Sequence, residues 1–319
     1  MATQIAVLDD YQSVALQFGD WDAVRRVADV RVYPDHLADE GAVAARLQDA
    51  EIVVAMRERT PFTRSLFEQL PKLRLLITTG MRNAAFDMEA ARDAGVTVCG
   101  TGGLGQPTAE LTWGLILALL RRIPAEHTAV LDGRWQIDIG EGVHGKTLGV
   151  VGLGRLGSQV AKVGLAFGME VLAWSQNLTA ERADEVGVAL AASKDDLLRR
   201  SDVVTIHLIL SQRTQGLLGA AELGLMPDSA YLINTSRGPI VDESALVEAL
   251  QAHSIAGAAL DVFNVEPLPP GHPLLSLDNV VLTPHVGYVT KETYDVFFRE
   301  AVEDILAFLA SDPIRVLAS

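Results

Sequence analysis

The chain has 319 residues, 49% of them hydrophobic and 21% charged, with a formal net charge of −15. That length suits about two domains of an ordinary globular protein. The acidic balance disfavours nucleic acid as a partner, because phosphate binding calls for clustered Lys and Arg, although a local arginine cluster could still hold a small anion.

The N-terminal stretch MATQIAVLDDY has neither a basic segment nor a long apolar one, so no signal peptide is expected. IAVLDD (5–10) reads as a strand ending in turn residues, and EIVVAM (51–56), LRLLITTG (73–80) and GVTVCG (95–100) read the same way. GAVAARLQDA (41–50) and FDMEAARDAG (86–95) carry helical patterns between them. Strands alternating with helices imply crossover connections and a parallel sheet. Cys99 is the only cysteine, so no intramolecular disulfide forms; this fits a reducing compartment, and the residue reads as small, apolar and buried. A helical stretch follows over 107–131, with Pro107 suited to its first turn and Pro124 expected to break or kink it. Its most apolar part, LTWGLILALL (111–120), is shorter than the ~20 residues of a bilayer span. No membrane partner is expected, and the cytoplasm is the default location.

The βα rhythm restarts at KTLGVVGLGRLG (146–157) and continues through EVLAWS (170–175), DVVTIHLIL (202–210), AYLINTS (230–236), GAALDVF (257–263) and NVVLTPH (279–285). These runs are rich in Val, Ile, Leu and Ala, as strands covered on both faces should be. A last helical pattern covers 290–310. The expectation is an α/β chain of two Rossmann-like parallel-sheet units, the second over 100–288, with the final helix packing back on the first unit.

GLGRLG at 152–157 lies between a strand and a helix. Gly152, Gly154 and Gly157 permit a tight turn, close backbone approach to a pyrophosphate and close helix–strand packing. The helix N-terminus at Arg155 and Leu156 offers free N–H groups and partial positive charge. A dinucleotide is therefore the expected cofactor. The ribose-binding acid expected at the end of the next strand is absent: Ser175, Gln176 and Asn177 stand there. A neutral turn removes the repulsion of a 2′-phosphate, but no arginine is adjacent to clamp one. The cofactor is written NAD(P), with a lean to NADP(H).

In open α/β sheets ligands bind outside the carboxyl ends of the strands. Three such ends carry polar residues that strand termination does not demand. AYLINTS runs into Arg237, GAALDVF leads to Glu266, and NVVLTP runs into His285. Hydride transfer to a ketone needs a proton donor, for which histidine is suited near neutral pH. A carboxylate on the other ring nitrogen would hold its tautomer, and an arginine would hold an α-keto acid. His207, also at a strand end, reads as lining the nucleotide site. The other histidines (36, 127, 144, 253 and 272) receive no role, and no metal site is assigned.

With these residues the sequence resembles the D-isomer-specific 2-hydroxyacid dehydrogenases. The resemblance is carried by TAELTWGLILALLRR (108–122), GKTLGVVGLGRLG (145–157), LINTSRGPIVDESAL (232–246), ALDVFNVEPLP (259–269) and LTPHVGYVT (282–290). It implies a discontinuous, flavodoxin-like substrate domain (1–99 plus 289–319), an inserted dinucleotide-binding domain (100–288), a cleft between them and a homodimer. It implies hydride transfer between nicotinamide and a small 2-keto acid or D-2-hydroxy acid, glyoxylate or hydroxypyruvate-like. By resemblance Arg237 binds and polarises substrate, Glu266 supports the histidine, and His285 is the acid–base. MRERTPFT (56–63) is similar to the family's substrate loop, which puts Arg57 near the substrate carboxylate. TTGMRNAAFD (78–87) is similar to a loop whose backbone N–H groups bind that carboxylate, at Gly80 and Met81, with Arg82 an added charge. Thr108, Thr235, Ser236 and Asp261 match positions around the nicotinamide and its ribose; Leu208 and Gly287 are counted with them.

Three departures stand out: Ser175 in place of the common acid, Ile209 where proline is frequent, and Tyr288 where smaller residues are common. Formate dehydrogenases place Gln where Glu266 stands, and phosphoglycerate dehydrogenases with a regulatory domain need more chain. A nucleotide-sensing, corepressor-like protein on the same scaffold is the alternative of another class.

Overall fold

The computed structural model describes residues 2–317. They form two compact units: one runs to Leu104 and resumes at Val289, and the other is Gly105–Tyr288. The first boundary lies beyond the expected 99/100. The residues after 100 are tied to their own unit: Gly80 donates its amide to Thr101 Oγ1 at 2.9 Å, and Gly102 donates to Glu300 Oε2 at 2.6 Å.

The first unit holds a parallel sheet of β1 (Thr3–Val7), β2 (Ala28–Val32), β3 (Ile52–Ala55), β4 (Leu75–Thr78) and β5 (Thr97–Gly100) in the order β2-β1-β3-β4-β5. IVVA and LLIT of β3 and β4 are buried throughout, because helices cover both faces. β2 is missing from the sequence reading for a physical reason: it is an edge strand whose Asp29 and Arg31 face solvent, so ADVRV shows no apolar run. Helix Lys291–Leu309, capped by Thr290, buries Tyr294, Phe297, Phe298 and Ile305. Beyond it Val316 bridges antiparallel to Cys99, and Leu317 donates to Val98 O, which covers the edge at β5.

The second unit holds β6 (Thr147–Val151), β7 (Glu170–Trp174), β8 (Ala189–Leu190), β9 (Val203–Ile206), β10 (Tyr231–Asn234), β11 (Gly257–Leu260) and β12 (Val280–Leu282), all parallel, in the order β12-β11-β10-β9-β6-β7-β8. Strand order reverses between β6 and β9, the place where doubly wound sheets open a ligand crevice. The predicted helix over 107–131 is two helices. The first, Gln106–Leu120, has Pro107 in its first turn and is tied to helix Arg155–Ala166 of the same unit by Trp113 Nε1, which donates to Val160 O at 3.1 Å. The break falls before Pro124, at Arg122 with φ +51°, and Pro124 sits in the first turn of Ile123–Leu131. Proline tolerates that position because its missing N–H would have no helical partner there. DVVTIHLIL also stops early as a strand: β9 ends at Ile206, and 207–210 is loop.

Candidate active site

The reversal point of the second unit carries a cradle. The chain leaves β6 through Gly152, whose φ of +104° suits glycine. A Cβ there would lie 2.6 Å from the His207 carbonyl oxygen, and a Cβ on Gly157 would lie 1.9 Å from the Gly152 oxygen. These two glycines let helix Arg155–Ala166 close on the strand ends. Gly154, the N-cap, is exposed and a Cβ on it would meet nothing within 4 Å, so space is open before the helix. First-turn amides at Arg155, Leu156 and Gly157 lack intrahelical partners and form the positive end of the helix dipole. The guanidinium of Arg155 lies against Gly105, 3.1 Å from where a Cβ would stand.

His207 adds a second sign of a ligand. Its ring Nδ1 is buried with no partner among the described residues, while Nε2 meets Thr205 Oγ1 at 2.9 Å. Burial pushes its pKa down to about 4, so the ring is neutral imidazole at neutral pH. Leu208 beside it is half-buried. An open cradle of amides and an orphaned ring nitrogen fit a dinucleotide.

At the end of β7, Ser175 is half-buried while Gln176 and Asn177 are exposed. A cation of the next helix, Arg182, was missed by sequence reading; its Nη1 pairs with Glu185 Oε2 at 2.9 Å. Arg182, on helix Ala180–Val186, donates from Nη2 to Ser158 Oγ at 2.9 Å, and Ser158 lies just inside the helix that follows the glycine loop. No motif announces it, because a turn and half a helix separate Arg182 from Ser175.

Strands β10, β11 and β12 are consecutive neighbours, so the loops after them lie side by side. A Cβ on Gly238 would stand 2.2 Å from the Phe263 carbonyl carbon, so the loop carrying Arg237 rests directly on the one carrying Glu266. Arg237 Nη1 donates to Ser236 O at 2.7 Å, and Ser236 Oγ donates to Ile206 O at 2.8 Å. Glu266 is anchored at Oε1 by the Phe263 amide at 2.9 Å, and its Oε2 lies 2.6 Å from His285 Nδ1. With Nδ1 bound to the carboxylate, Nε2 is the ring atom left for proton transfer.

His285 has φ +53°. Asp261, buried, holds the turn around it. Its Oδ1 accepts from Thr283 Oγ1 at 2.6 Å and Val286 N at 2.8 Å, and Oδ2 accepts from Gly287 N at 2.9 Å. Burial pushes the Asp261 pKa up, against the pull of those hydrogen bonds. The sequence placed Asp261 and Gly287 beside the nicotinamide; the structure occupies the carboxylate with the residues flanking His285. Thr108 Oγ1 donates to Gly287 O at 3.1 Å, and Thr235 Oγ1 lies 2.9 Å from Thr112 Oγ1. The Tyr288 ring meets the His285 ring edge-on, with centroids 5.6 Å apart. Ile209 is 76% exposed, in a loop pinned by Thr214 Oγ1 donating to its carbonyl at 2.7 Å.

In the first unit Arg57 follows β3 and Gly80 follows β4. Arg57 Nη1 donates to Thr79 O at 3.0 Å, and the guanidinium fills the space over Gly80, where a Cβ would be 1.9 Å from Nη1. One expectation needs correcting. The Gly80 amide is already given to Thr101 Oγ1, because Thr101 follows β5 beside it. Met81 and Arg82, which follow in that turn, are both exposed residues.

The NAD binding domain model of the D-isomer specific 2-hydroxyacid dehydrogenases matches residues 113–287. A glyoxylate reductase of Aeropyrum pernix is 44% identical over 253 residues, covering 76% of this chain and 75% of its own. A D-3-phosphoglycerate dehydrogenase of Methanocaldococcus jannaschii is 39% identical over 250 residues, 77% of this chain but 47% of the relative. The crystal structure of a phosphoglycerate oxidoreductase from Vibrio cholerae superposes with a TM-score of 0.93 at 37% identity, covering 97% of this chain and 99% of that one.

Proposed function

The chain belongs to the D-isomer specific 2-hydroxyacid dehydrogenase family, and we propose that it reduces a small 2-keto acid, glyoxylate or hydroxypyruvate-like, to the D-2-hydroxy acid. The observation that carries this reading is the Glu266–His285 pair, 2.6 Å apart, at the end of β12. A dinucleotide held at the glycine loop would supply the hydride. His285 gives a proton from Nε2 to the forming alkoxide, and Glu266 on Nδ1 holds the ring and balances its charge. Arg237 polarises the keto oxygen. Arg57, with the Met81 and Arg82 amides, takes the substrate carboxylate. A corepressor-like role is not favoured, since the similar proteins are reductases and dehydrogenases.

NADP(H) is the proposed cofactor form. Support comes from the neutral Ser175-Gln176-Asn177 turn and from Arg182 at Ser158, a cation within the same βαβ unit. A homodimer is proposed as well. Ile123, Val130, Leu131, Trp135, Ile137 and Ile139 are all exposed within one stretch of the second unit, and such a concentration of exposed apolar residues suits a second copy. Among the described residues no helix is long and apolar enough to cross a membrane. A cytoplasmic setting is part of the proposal, supported by the buried free thiol of Cys99.

The deciding experiment is a steady-state screen of glyoxylate, hydroxypyruvate, pyruvate and bulkier keto acids against NADH and NADPH. Turnover of a small keto acid, faster with NADPH, is expected. No nucleotide oxidation with any of them would defeat the reading, and a monomeric mass by light scattering would defeat the dimer.

A further inference from the structure

We infer that Asn83 and Thr79 are positioning residues that lock Arg57 into the orientation that meets a substrate carboxylate. This rests on the assignment of Arg57 given under the proposed function. Arg57 has φ +51°, a left-handed backbone that is unfavourable for any residue with a side chain. Such a conformation persists where its surroundings over-determine it. Both ends of the residue are held here. The Arg57 amide donates to Thr79 Oγ1 at 2.9 Å, and the Arg57 carbonyl accepts from Asn83 Nδ2 at 2.6 Å.

The orientation of the Asn83 amide is fixed by its other bonds. Nδ2 also donates to Thr78 Oγ1 at 2.9 Å, and Oδ1 accepts from Ala85 N at 2.9 Å. Rotating the amide would set an oxygen against the Arg57 carbonyl. Thr79 is fully buried, and its hydroxyl donates to Met56 Sδ at 3.3 Å, so its oxygen is directed at the Arg57 amide. With the peptide clamped, the side chain turns back across Gly80, where glycine alone leaves it room. The guanidinium is thereby held over Gly80, with Nη1 donating to Thr79 O at 3.0 Å, before any substrate arrives. Preorganisation of this kind acts on substrate affinity, not on proton transfer.

The test is steady-state kinetics on Asn83→Ala, Asn83→Asp and Thr79→Val, with Thr79→Ser as the conservative variant, alone and in an Arg57→Ala background. Losing one such hydrogen bond should raise KM for the keto acid about tenfold. kcat should stay within about twofold and nucleotide Kd unchanged. Asn83→Asp should be at least as severe as Asn83→Ala, and Thr79→Ser should restore KM. In the Arg57→Ala background the same substitutions should add nothing. Unchanged KM in Asn83→Ala and Thr79→Val overturns the inference while leaving Arg57 in place, and so does an additive effect on top of Arg57→Ala. Unchanged KM in Arg57→Ala alone removes the carboxylate assignment, and the inference with it.

Discussion

His285 and Glu266 are joined through Nδ1 and Oε2 at 2.6 Å, on a histidine whose own backbone is left-handed at φ +53°. A side chain in that conformation costs about 1–2 kcal/mol. Three hydrogen bonds from Thr283, Val286 and Gly287 to the Asp261 carboxylate offset it. The turn, the pair and the clamp thus form one construction that presents Nε2. Truncating His285→Ala should lower kcat by about 10²–10⁴. Nucleotide affinity should survive, because the glycine loop is untouched. Glu266→Gln keeps a hydrogen-bond acceptor but not the balancing charge, so a smaller loss is expected, with KM little changed. Stopped-flow turnover and nucleotide fluorescence titration on both variants check this; near-normal kcat in His285→Ala would remove the acid–base assignment.

Two glycines of the same loop should respond in opposite ways. A Cβ on Gly157 would be 1.9 Å from the Gly152 carbonyl oxygen, so Gly157→Ala must push the helix off the strand end. Stability should fall by about 1–3 kcal/mol, as overpacking does. Gly154→Ala meets nothing within 4 Å, so the fold should keep its melting temperature. The added methyl stands in the cradle instead, and nucleotide Kd should rise at least tenfold. Thermal melts with and without NADPH separate the two, and equal behaviour of the variants would contradict the cradle.

The parallel sheets, the glycine loop and the polar residues after β10, β11 and β12 were readable because each has a local signature: an apolar run, a spacing, or a charge at a strand end. What escaped was set by tertiary contact. β2 carries Asp29 and Arg31 because only one edge of it is paired. Gly80 loses its amide to Thr101, a residue from the next strand's loop that no spacing rule connects to it. Asn83, Thr79 and Arg182 are ordinary polar residues in the sequence. The roles proposed for them depend on which atoms they face, and that is decided by the packing of separate βα units.

Cofactor choice should follow the end of β7. Ser175→Asp places a carboxylate where a ribose 2′-OH would be bonded and a 2′-phosphate repelled. NADPH kcat/KM should fall more than about tenfold and NADH kcat/KM should rise, reversing the preference. Arg182→Ala should weaken NADPH alone, by about three- to tenfold, since an exposed cation contributes about 1 kcal/mol. The ratio of the two kcat/KM values is the quantity to measure. A ratio unmoved by Arg182→Ala would place that arginine outside cofactor recognition.

Stability should also carry a pH signature from Asp304. Its side chain is fully buried on helix Lys291–Leu309; Oδ1 accepts from Arg315 Nε at 2.9 Å, but Oδ2 has no partner among the described residues. Burial pushes its pKa up to about 7, Glu300 and Glu303 add to the rise, and Arg315 opposes it. In the unfolded chain the same carboxyl gives up its proton near pH 4. Between those values the folded state holds a proton that the unfolded state has released, so stability falls as pH rises from about 4 to 7 and then levels. His207 works in the other direction: its folded pKa of about 4 lies below the ordinary 6.5, so its burial favours folding more as pH rises from about 4 to 6.5. The two partly cancel in the wild type, and the variant difference isolates one of them. Asp304→Asn cannot ionise, so its melting temperature minus that of the wild type should increase by several degrees between pH 5 and pH 8. A difference that stays constant, or shrinks as pH rises, would show that Asp304 is already ionised in the folded protein at pH 5.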